Sequence, residues 1–568
     1  MQEKQWVAKP VAPAASVHHL ATELGIETQL AALLVNRGVQ TFEEARSFFR
    51  PSLADLHDPF LIADMNAAVS RIERAIRDRE NILIYGDYDV DGTTAVSLVS
   101  SYFKTIYDLI DTYIPDRYSE GYGISFQGID YAEDNNISLI IALDCGVKAV
   151  DKVAYANKKG IDFIICDHHN PGQELPEAVA VLDPKRNDCN YPYKELSGCG
   201  VGFKLVQAFH QKNGGDFEEL LPLLDLLAIS IGADIVPITG ENRVLTHFGL
   251  VQLNSNPRPG IKALMETANK DVFNITNVVF ILGPRINAAG RIKHGKLAVE
   301  LLTETDVEHV QKLAQKVNEQ NTTRKTLDKG ITEEALAIVA RQSKKVSTVV
   351  YREDWHKGVI GIVASRLIEN YYKPTIVLTK SNGKLAGSAR SVHGFDLYAA
   401  LEKCSDALEQ FGGHMYAAGM TLAEENLERF TVLFEDAVQS TITPEQQTPR
   451  ITYDLEVKLA DLTPKFFRVL RQFEPFGPGN LSPIFLTKNL KDSGWAKGVG
   501  AESDHLKFEA FEEEGGTKLS GIAFGFGHLA EGLKAGKAFD VVYHLEENIW
   551  NGNSSLQLMV KDLKFSEE

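Results

Sequence analysis

The sequence predicts a multidomain α/β protein with a doubly wound parallel sheet at its centre. Its 568 residues are too many for one hydrophobic core and predict about three or four domains. Between residues 81 and 240, short runs rich in Ile and Val alternate with segments of helical length. Runs that are apolar on both faces are typical of parallel strands covered by helices on each side.

The elements can be placed in order along the chain. The runs NILIYG, SLIIALD and IDFIICD predict strands, and GTTAVSLVSSYF and KAVDKVAYANKKG predict the helices between them. The polar, proline-free stretch 305–343 predicts one long helix or two abutting ones. A second set of runs, VSTVVYRED, TIVLTK and KLAGSARS, predicts a smaller α/β domain. Beyond residue 450, alternating apolar and polar residues predict a mostly antiparallel β domain.

These patterns divide the chain into five regions. The first is an N-terminal extension with a Pro/Ala linker and a helical pattern, which we expect to lie on the first domain. The predicted regions are the extension at 1–50, the parallel-sheet domain at 51–250, a connecting helical region at 251–345, the smaller α/β domain at 346–441 and the β domain at 450–568.

Composition limits the class of protein. The chain is 44% apolar and 24% charged, and it has neither an apolar N-terminal signal core nor a run of the roughly 18 apolar residues that a membrane span needs. We therefore expect a cytoplasmic protein without a membrane segment. The five cysteines contain no C-x-x-C pair, which favours buried free thiols over a disulfide framework or a zinc ribbon. A net charge of −18 argues against a uniformly basic nucleic-acid coat, but leaves a nuclease with a local basic groove open.

The sequence DYDVDG directly follows a predicted strand and directly precedes a predicted helix. It places Asp87, Asp89 and Asp91 outside the carboxyl end of a strand, where open α/β sheets bind ligands. Three carboxylates this close repel one another unless cations neutralise them. An EF-hand calcium loop is excluded because Leu98 occupies the position of its bidentate glutamate.

Two more strand ends carry matching groups. Asp144 follows SLIIAL, and Asp167, His168 and His169 follow IDFIIC, while Asp234 follows another apolar run. Parallel strands end at the same edge of a sheet, so we expect Asp89, Asp91, Asp144 and His168 on one rim. Carboxylates mixed with imidazole suit Mn²⁺ better than an all-oxygen magnesium site. The pattern predicts hydrolysis of phosphoesters by two metal ions, with no nucleophilic side chain. No G-x-S-x-G or P-loop motif supports a competing chemistry.

The motifs DYDVDG, LDCG, CDHHN and ADIVP, in this order, resemble those of the DHH phosphoesterase superfamily. GKLAGSARS and FGGHMYAAGM resemble the associated DHHA1 domain. The segments IPDRYSEGYGIS, LDPKRNDCNYPYKELSGCGVGFKL, GPRINAAGRI and FEPFGPGNLSPIF resemble one branch of that superfamily, the bacterial RecJ single-strand exonucleases. The resemblance covers roughly residues 50 to 568.

The resemblance implies a 5′-to-3′ exonuclease that releases 5′-mononucleotides from single-stranded DNA in repair and recombination. It also implies two Mn²⁺ or Mg²⁺ ions between the DHH and DHHA1 domains, and an OB fold after them. The residues carried over as catalytic are Asp89, Asp91, Asp144, His168, His169 and Asp234. All of these except His169 are implied metal ligands, and Asp87 joins them with a less direct role. His169 is expected beside the scissile phosphate, and Asp167 is expected to orient a histidine from behind.

Substrate contacts follow from the same resemblance. Arg117 is expected to anchor a 5′-terminal phosphate, a role that suits a planar guanidinium, although a surface ion pair is the alternative. The residues expected to contact the DNA backbone are Arg285, Arg291, Ser388, Arg390 and His414. In the last domain, Phe524, Phe526 and Trp550 could stack on bases or could belong to the core.

Two alternatives stay open at this point. One is a DHH enzyme acting on cyclic dinucleotides or short oligonucleotides, and the other is a non-catalytic single-strand-binding module. By family role, a single-strand DNA-binding protein and a helicase are expected partners of a monomeric, nucleoid-associated enzyme.

Overall fold

The computed structural model of the protein describes residues 3–342, 345–513, 515–550 and 552–566, with the side chain of Trp550 outside that description. The nineteen strands in these residues are β1 Gln5–Ala8, β2 Asn81–Gly86, β3 Ile110–Tyr113, β4 Ile137–Leu143, β5 Asp162–Cys166, β6 Ala180–Leu182, β7 Thr348–Tyr351, β8 Thr375–Ser381, β9 Lys384–Arg390, β10 Gln410–His414, β11 Ala417–Leu422, β12 Arg450–Tyr453, β13 Leu455–Glu456, β14 Phe485–Asp492, β15 Lys497–Val499, β16 His505–Phe511, β17 Lys518–Ala523, β18 Phe539–Trp550 and β19 Asn553–Phe565.

The α-helices of the same residues alternate with these strands in the first half of the chain. They are α1 Ala14–Leu24, α2 Thr28–Val35, α3 Phe42–Phe49, α4 Met65–Arg77, α5 Val90–Lys104, α6 Phe126–Asp134, α7 Val150–Lys158, α8 Gly198–Lys212, α9 Leu224–Ala233, α10 Gly240–Ser255, α11 Pro259–Thr267, α12 Ile275–Asn277, α13 Gly283–Ile292, α14 Lys296–Thr303, α15 Val307–Val339, α16 Ile360–Tyr371, α17 Leu397–Glu402, α18 Leu427–Gln439, α19 Pro464–Arg471 and α20 Ala530–Lys534. None of the helices in the described residues is both long and apolar enough to cross a membrane.

The chain forms two compact units. The large unit contains Pro51–Thr441 and Gly477–Gly479, and the barrel unit contains Met1–Arg50, Ile442–Phe476 and Asn480–Glu568. The prediction that the N-terminal extension lies on the first domain is therefore wrong. Strand β1 pairs in parallel with β12, and helices α1 to α3 bury their apolar faces in the core of the barrel unit. The physical reason is a pairing of sequence-distant strands, which no local pattern reveals.

The first sheet of the large unit is entirely parallel, with strand order β3-β2-β4-β5-β6. This is the predicted doubly wound arrangement. The order reverses direction between β2 and β4, and the carboxyl edge at that point is where such sheets bind ligands. Strand β2 leads into DYDVDG and β4 leads into Asp144, so both acidic motifs lie at the switch point.

Helix α15 confirms the predicted long connector as a single helix of 33 residues. Its first half packs into the parallel-sheet core through Val310, Leu313 and Val317. Its last turns pack with Trp355 and Val363 of the following region. That region carries a second five-stranded sheet, ordered β10-β11-β9-β8-β7, in which all pairs except β7 with β8 are antiparallel.

The barrel unit contains a seven-stranded sheet, ordered β13-β14-β18-β19-β17-β16-β15. An additional pairing of β14 with β16 closes five of these strands into a barrel. Most pairs are antiparallel, as predicted, and the exceptions are β13 with β14 and β17 with β19. Phe526 is only 8% exposed and belongs to the barrel core, which is the second of the two alternatives that the sequence left open for it. Phe524 is 57% exposed and lies in the turn that follows β17.

All five cysteines are buried free thiols, as the sequence predicts.

Candidate active site

The DYDVDG loop turns sharply between β2 and α5. Asp89 begins the helix as its N-cap, and its carboxylate accepts a hydrogen bond of 3.0 Å from the Gly92 N–H. A Cβ atom on Gly92 would lie 2.4 Å from the Asp87 carbonyl oxygen, so this tight turn requires glycine. The turn buries Asp87 completely and leaves its Oδ2 atom without a hydrogen-bond partner.

Asp91 is fixed by main-chain donors from another part of the fold. Its carboxylate accepts hydrogen bonds from the N–H groups of Gly198 at 2.7 Å and Cys199 at 2.8 Å, at the start of helix α8. The hydroxyl of Ser230 donates a third bond of 2.7 Å. The N-terminus of α8 thus supplies main-chain donors that hold the buried Asp91 side chain in one orientation.

His168 is the meeting point of the predicted ligands. Its Nε2 atom lies 3.2 Å from Asp144 Oδ1, 3.6 Å from Asp234 Oδ2 and 3.8 Å from Asp91 Oδ2. Neither ring nitrogen of His168 has a hydrogen-bond partner, and neither does Asp144 Oδ1. Asp144 and His168 follow β4 and β5, as predicted, whereas Asp234 ends a helix, α9. The apolar run before Asp234 is thus helical, and only the packing of α9 brings it to the strand ends.

The electrostatics of this cluster are unfavourable without a counter-ion. Burial, with the charges of Asp91 and Asp89, raises the pKa of Asp144 well above its ordinary value. The same causes raise the pKa of Asp234 to about 8. Burial and the charge of Asp89 likewise raise the pKa of Asp87. Buried polar atoms without partners are rare and call for an explanation such as an ion.

Divalent cations fit this donor set. Asp91, His168 and Asp234 each offer one ligand atom, and these atoms lie within 4.8 Å of one another. Asp144, His168 and His169 form a second such group. Carboxylate oxygens with an imidazole nitrogen are a donor set that Mn²⁺ and related divalent ions accept, and such ions would satisfy the unpartnered atoms.

Asp167 holds His169 rather than His168. Its Oδ1 atom lies 2.7 Å from His169 Nδ1, and its carboxylate also accepts main-chain N–H bonds from Val147 and His168. Although burial opposes it, the hydrogen bond to His169 contributes to lowering the pKa of Asp167 to about 2. Burial also opposes a charged His169, but its hydrogen bond to Asp167 raises the pKa of this imidazole to about 9. The ring is 45% exposed at its other edge, where Nε2 lies 3.2 Å from the Tyr122 hydroxyl.

A cleft of about 530 Å³ opens next to this cluster and is lined by cations. Arg117, Arg291, Lys357 and Arg390 all line it, together with Ser388. Within the described parts of the chain, no carboxylate lies at ion-pair distance from any of the four cations. Burial, then the charges of Arg117 and Arg390, lower the pKa of Arg291 to about 10. Crowded cations without acidic partners give this cleft a positive potential that suits an anion.

The cleft residues are held by neutral contacts. The Arg117 guanidinium lies 4.1 Å from the centre of the Tyr88 ring, and its Nε atom is buried without a hydrogen-bond partner. Arg291 donates to the Gly358 carbonyl at 3.1 Å. Arg390 donates to the Ser388 hydroxyl at 3.1 Å. Each guanidinium therefore keeps donors free for a ligand.

The structure thus brings together four of the six predicted substrate residues. Arg285 and His414 do not line the cleft. Arg285 donates to the Ile281 carbonyl within its own helical segment, and His414 is exposed at the end of β10. Their predicted DNA contacts stay predictions.

Four functional candidates were not found by sequence reasoning. Tyr88, Tyr122 and Lys357 line the cleft, and Tyr122 joins it to His169. Asp183 follows β6 at the same sheet edge, is fully buried and has an unpartnered Oδ2 atom. Burial raises the pKa of Asp183 to about 7. The available signals were the place of Tyr88 between Asp87 and Asp89, the quoted segment IPDRYSEGYGIS that contains Tyr122, and the strand that ends before Asp183. Lys357 had none.

Comparison with known proteins gives independent information on this geometry. The DHH family N-terminal domain model matches residues 81–231, the DHHA1 domain model matches 328–440 and the RecJ OB domain model matches 453–562. The single-stranded-DNA-specific exonuclease RecJ of Bacillus subtilis is 38% identical over 558 residues, which are 97% of this chain and 70% of that protein. The chain belongs to the RecJ family. The RecJ exonuclease of Salmonella typhimurium is 32% identical, with 94% of this chain and 95% of that protein covered.

Solved structures agree with the RecJ assignment. The crystal structure of RecJ from Thermus thermophilus in complex with Mn²⁺ has a TM-score of 0.86 at 26% identity, covering 99% of this chain and 80% of that chain. The same protein in complex with Mg²⁺ has a TM-score of 0.79 at 25% identity, covering 99% and 79%. The predicted DHH, DHHA1 and OB folds are thereby confirmed.

Proposed function

We propose that this RecJ-family chain is a metal-dependent exonuclease that removes 5′-mononucleotides from single-stranded DNA in the 5′-to-3′ direction, in DNA repair and recombination. The observation that carries the proposal is the hydrogen bond between Tyr122 and His169. It joins an unneutralised acidic cluster to a cleft of unpaired cations, so that one DNA strand can place a terminal phosphate in the cleft and its first phosphodiester at the acids. Relatives named single-stranded-DNA-specific exonucleases support the substrate class.

The residues of the site have different proposed roles in hydrolysis. The proposed ligands are Asp87, Asp89, Asp91, Asp144, His168 and Asp234, and two divalent ions, with Mn²⁺ preferred over Mg²⁺, fit their number and type. When bound, these ions supply a metal-activated water and neutralise charge on the phosphate oxygens. Asp167 fixes the His169 ring so that Nε2 faces the scissile phosphate beside Tyr122. A terminal phosphate carries nearly two charges, which suits a cleft with four cations better than an internal phosphate does.

The barrel unit is proposed to hold the strand beyond the reacting end. Trp495 is 56% exposed, with Lys497 Nζ 4.4 Å from its ring centre. Phe524 is exposed, and the His505 ring lies 4.9 Å away. OB folds bind single strands by stacking bases on exposed aromatic side chains of this kind.

Recruitment by a single-strand DNA-binding protein and a helicase, a monomeric state and nucleoid association rest on the family resemblance alone. The small-substrate and non-catalytic alternatives are less favoured, since the chain keeps every ligand of the cluster and belongs to a family of DNA exonucleases.

A digestion experiment tests the proposal. Purified protein is mixed with 5′-labelled or 3′-labelled single-stranded and duplex DNA, in Mn²⁺, Mg²⁺ or chelator. We expect metal-dependent release of mononucleotides from the 5′ end of single strands only. Asp144→Asn is the inactive control, because Asp144 has a φ of 58° and asparagine tolerates this left-handed conformation. Asp108→Asn is the matched control, since Asp108 forms only an exposed ion pair with Arg79. Cleavage of duplex ends, or none of single strands by metal-loaded protein, would contradict the proposal.

A further inference from the structure

The loop between β3 and α6, residues 115–124, reaches the active site at three points. Arg117 lies over the Tyr88 ring, the Tyr118 hydroxyl donates to the Arg291 carbonyl, and the Tyr122 hydroxyl contacts His169. The loop contains no helix or strand. Its shape must therefore be fixed by other contacts, because a flexible loop would lose entropy each time it ordered around a substrate.

Glu120 makes the contacts that close this loop at its base. Its Oε2 atom accepts hydrogen bonds from the Tyr113 hydroxyl at 3.0 Å and the Ser125 hydroxyl at 2.5 Å. Its Oε1 atom accepts from the Asp116 N–H at 2.8 Å, and its own N–H donates to the Asp116 carbonyl at 2.9 Å. One side chain thus ties together the end of β3, the start of the loop and the N-cap of α6.

The charge of Glu120 is used for this closure and for nothing else in the described structure. No cation in those residues forms an ion pair with it, and it does not line the cationic cleft. Its hydrogen-bond partners in the described residues are neutral donors, and hydrogen bonds to a charged acceptor are about twice as strong as neutral ones. Burial and the bond to Glu120 raise the pKa of Tyr113, which keeps its hydroxyl protonated as a donor.

The fixed base also orients the far end of the loop. The buried Tyr85 hydroxyl donates to the Gly123 carbonyl at 2.9 Å and accepts from the Ser125 N–H at 3.2 Å. Ser125 is therefore shared by the Tyr85 and Glu120 contacts. A change at Glu120 would remove its side-chain bonds to Ser125 and Asp116 together, and so loosen both ends of the loop that carries Arg117 and Tyr122.

We propose that Glu120 is a positioning residue for the exonuclease reaction: by closing the 115–124 loop, it presents Arg117 to the 5′-phosphate and Tyr122 to His169. This role rests on the proposed function of the cleft. Loss of the closure keeps the charge of the cleft, but the loop that carries Arg117 must then lose conformational entropy when the substrate binds. The effect is therefore largest on substrates whose 5′-phosphate reaches Arg117.

The test compares 5′-phosphorylated with 5′-hydroxyl oligonucleotides and measures kcat and KM for each. We expect Glu120→Ala to lower kcat/KM on the phosphorylated strand by about 10-fold to 100-fold, since small misplacements of positioning groups have effects of that size. The substrate ratio, defined as kcat/KM on the 5′-phosphorylated strand divided by kcat/KM on the 5′-hydroxyl strand, should fall towards its value in Arg117→Ala. The double variant Arg117→Ala with Glu120→Ala should have the same substrate ratio as Arg117→Ala alone. Glu120→Gln, which keeps one oxygen acceptor, should restore part of the ratio.

Asp111→Asn is the matched control. Asp111 lies on β3, like Tyr113, and is outside the loop. Its carboxylate also accepts a hydrogen bond from a tyrosine hydroxyl, that of Tyr131, at 2.6 Å. Tyr113→Phe removes one donor to Glu120 without removing the ring, and it tests the proposal even if Glu120→Ala does not fold. An unchanged substrate ratio in folded Glu120→Ala or, failing that, in Tyr113→Phe overturns the positioning role, provided that Arg117→Ala loses the ratio. If Arg117→Ala itself keeps the ratio, the proposed function of the cleft fails instead, and the role of Glu120 fails with it.

Discussion

The carboxylate of Asp167 lies 2.7 Å from Nδ1 of His169 and accepts main-chain hydrogen bonds from the N–H groups of Val147 and His168. This arrangement turns the free Nε2 edge of His169 towards Tyr122 and the cationic cleft. It links a residue at the end of a buried strand to the exposed face of the site.

Asp167→Asn should lower kcat by about 10-fold to 100-fold, the usual effect of removing a group that orients a catalytic histidine. The amide keeps the shape of the side chain but removes the charge that raises the pKa of His169. Single-turnover cleavage measures the effect, and equilibrium binding of DNA should change little. Glu304→Gln is the control, since Glu304 contacts His309 Nδ1 at 2.8 Å on an exposed surface. An unchanged single-turnover rate would show that His169 needs no such orientation.

Mn²⁺ should stabilise the folded protein against heat. Bound ions neutralise carboxylates whose pKa is raised by burial and by one another, and a ligand at 100 times its Kd stabilises by about 2.7 kcal/mol. Melting curves with and without Mn²⁺ measure this directly. Asp144→Asn should lose most of the Mn²⁺ effect, yet be at least as stable as the natural protein in chelator, because one buried carboxylate is gone. An equal Mn²⁺ shift in both proteins would place the ions elsewhere.

Lys357→Met should weaken binding of 5′-phosphorylated single strands by about 10-fold and reduce the salt slope of binding by about 1. Lys357 lines the cleft, and burial together with the charge of Arg117 lowers its pKa. The charged form of Lys357 is therefore disfavoured in the free protein, and a bound anion would stabilise it. Binding titrations over a range of salt concentrations provide the test. Lys329→Met, on an exposed stretch of α15, serves as the comparison. The same loss in both variants would mean a general charge effect.

Gly412→Val or Gly419→Val should raise KM for single-stranded DNA without destabilising the fold. These glycines face each other across β10 and β11, Gly419 also faces Ser388, and both line the cleft. A Cβ atom at either position would meet no protein atom within 4 Å, so the space is open to substrate. Thermal melting and steady-state kinetics separate the two effects. Gly330→Ala, equally open but in the middle of α15, should stabilise slightly and leave KM alone. A lowered melting temperature would indicate a structural need for glycine.

Phe524→Ala and Trp495→Ala should each weaken binding of long single strands by about 1–3 kcal/mol, the usual value of one stacked base. Cleavage of oligonucleotides too short to reach the barrel unit should be preserved. Phe526→Ala should instead destabilise the barrel unit by about 3–5 kcal/mol, because its ring is in the core. Binding assays with strands of increasing length, paired with denaturation, distinguish these outcomes. Equal losses on short and long strands would remove the barrel from substrate binding.

The sequence by itself determined the parallel sheet, the long helix and the acidic cluster at the strand ends. Asp91, Asp144 and His168 were predicted together because parallel strands must end at one edge, which local patterns are enough to reveal. Tertiary structure alone decided which neighbours complete the site. Asp234 lies at the end of a helix, Lys357 lines the cleft from a distant segment of the chain, and the N-terminal strand β1 pairs with β12 in the barrel unit. These placements depend on contacts between residues far apart in the chain. A periodic pattern shows which face of an element is buried, but it does not show which distant element covers that face.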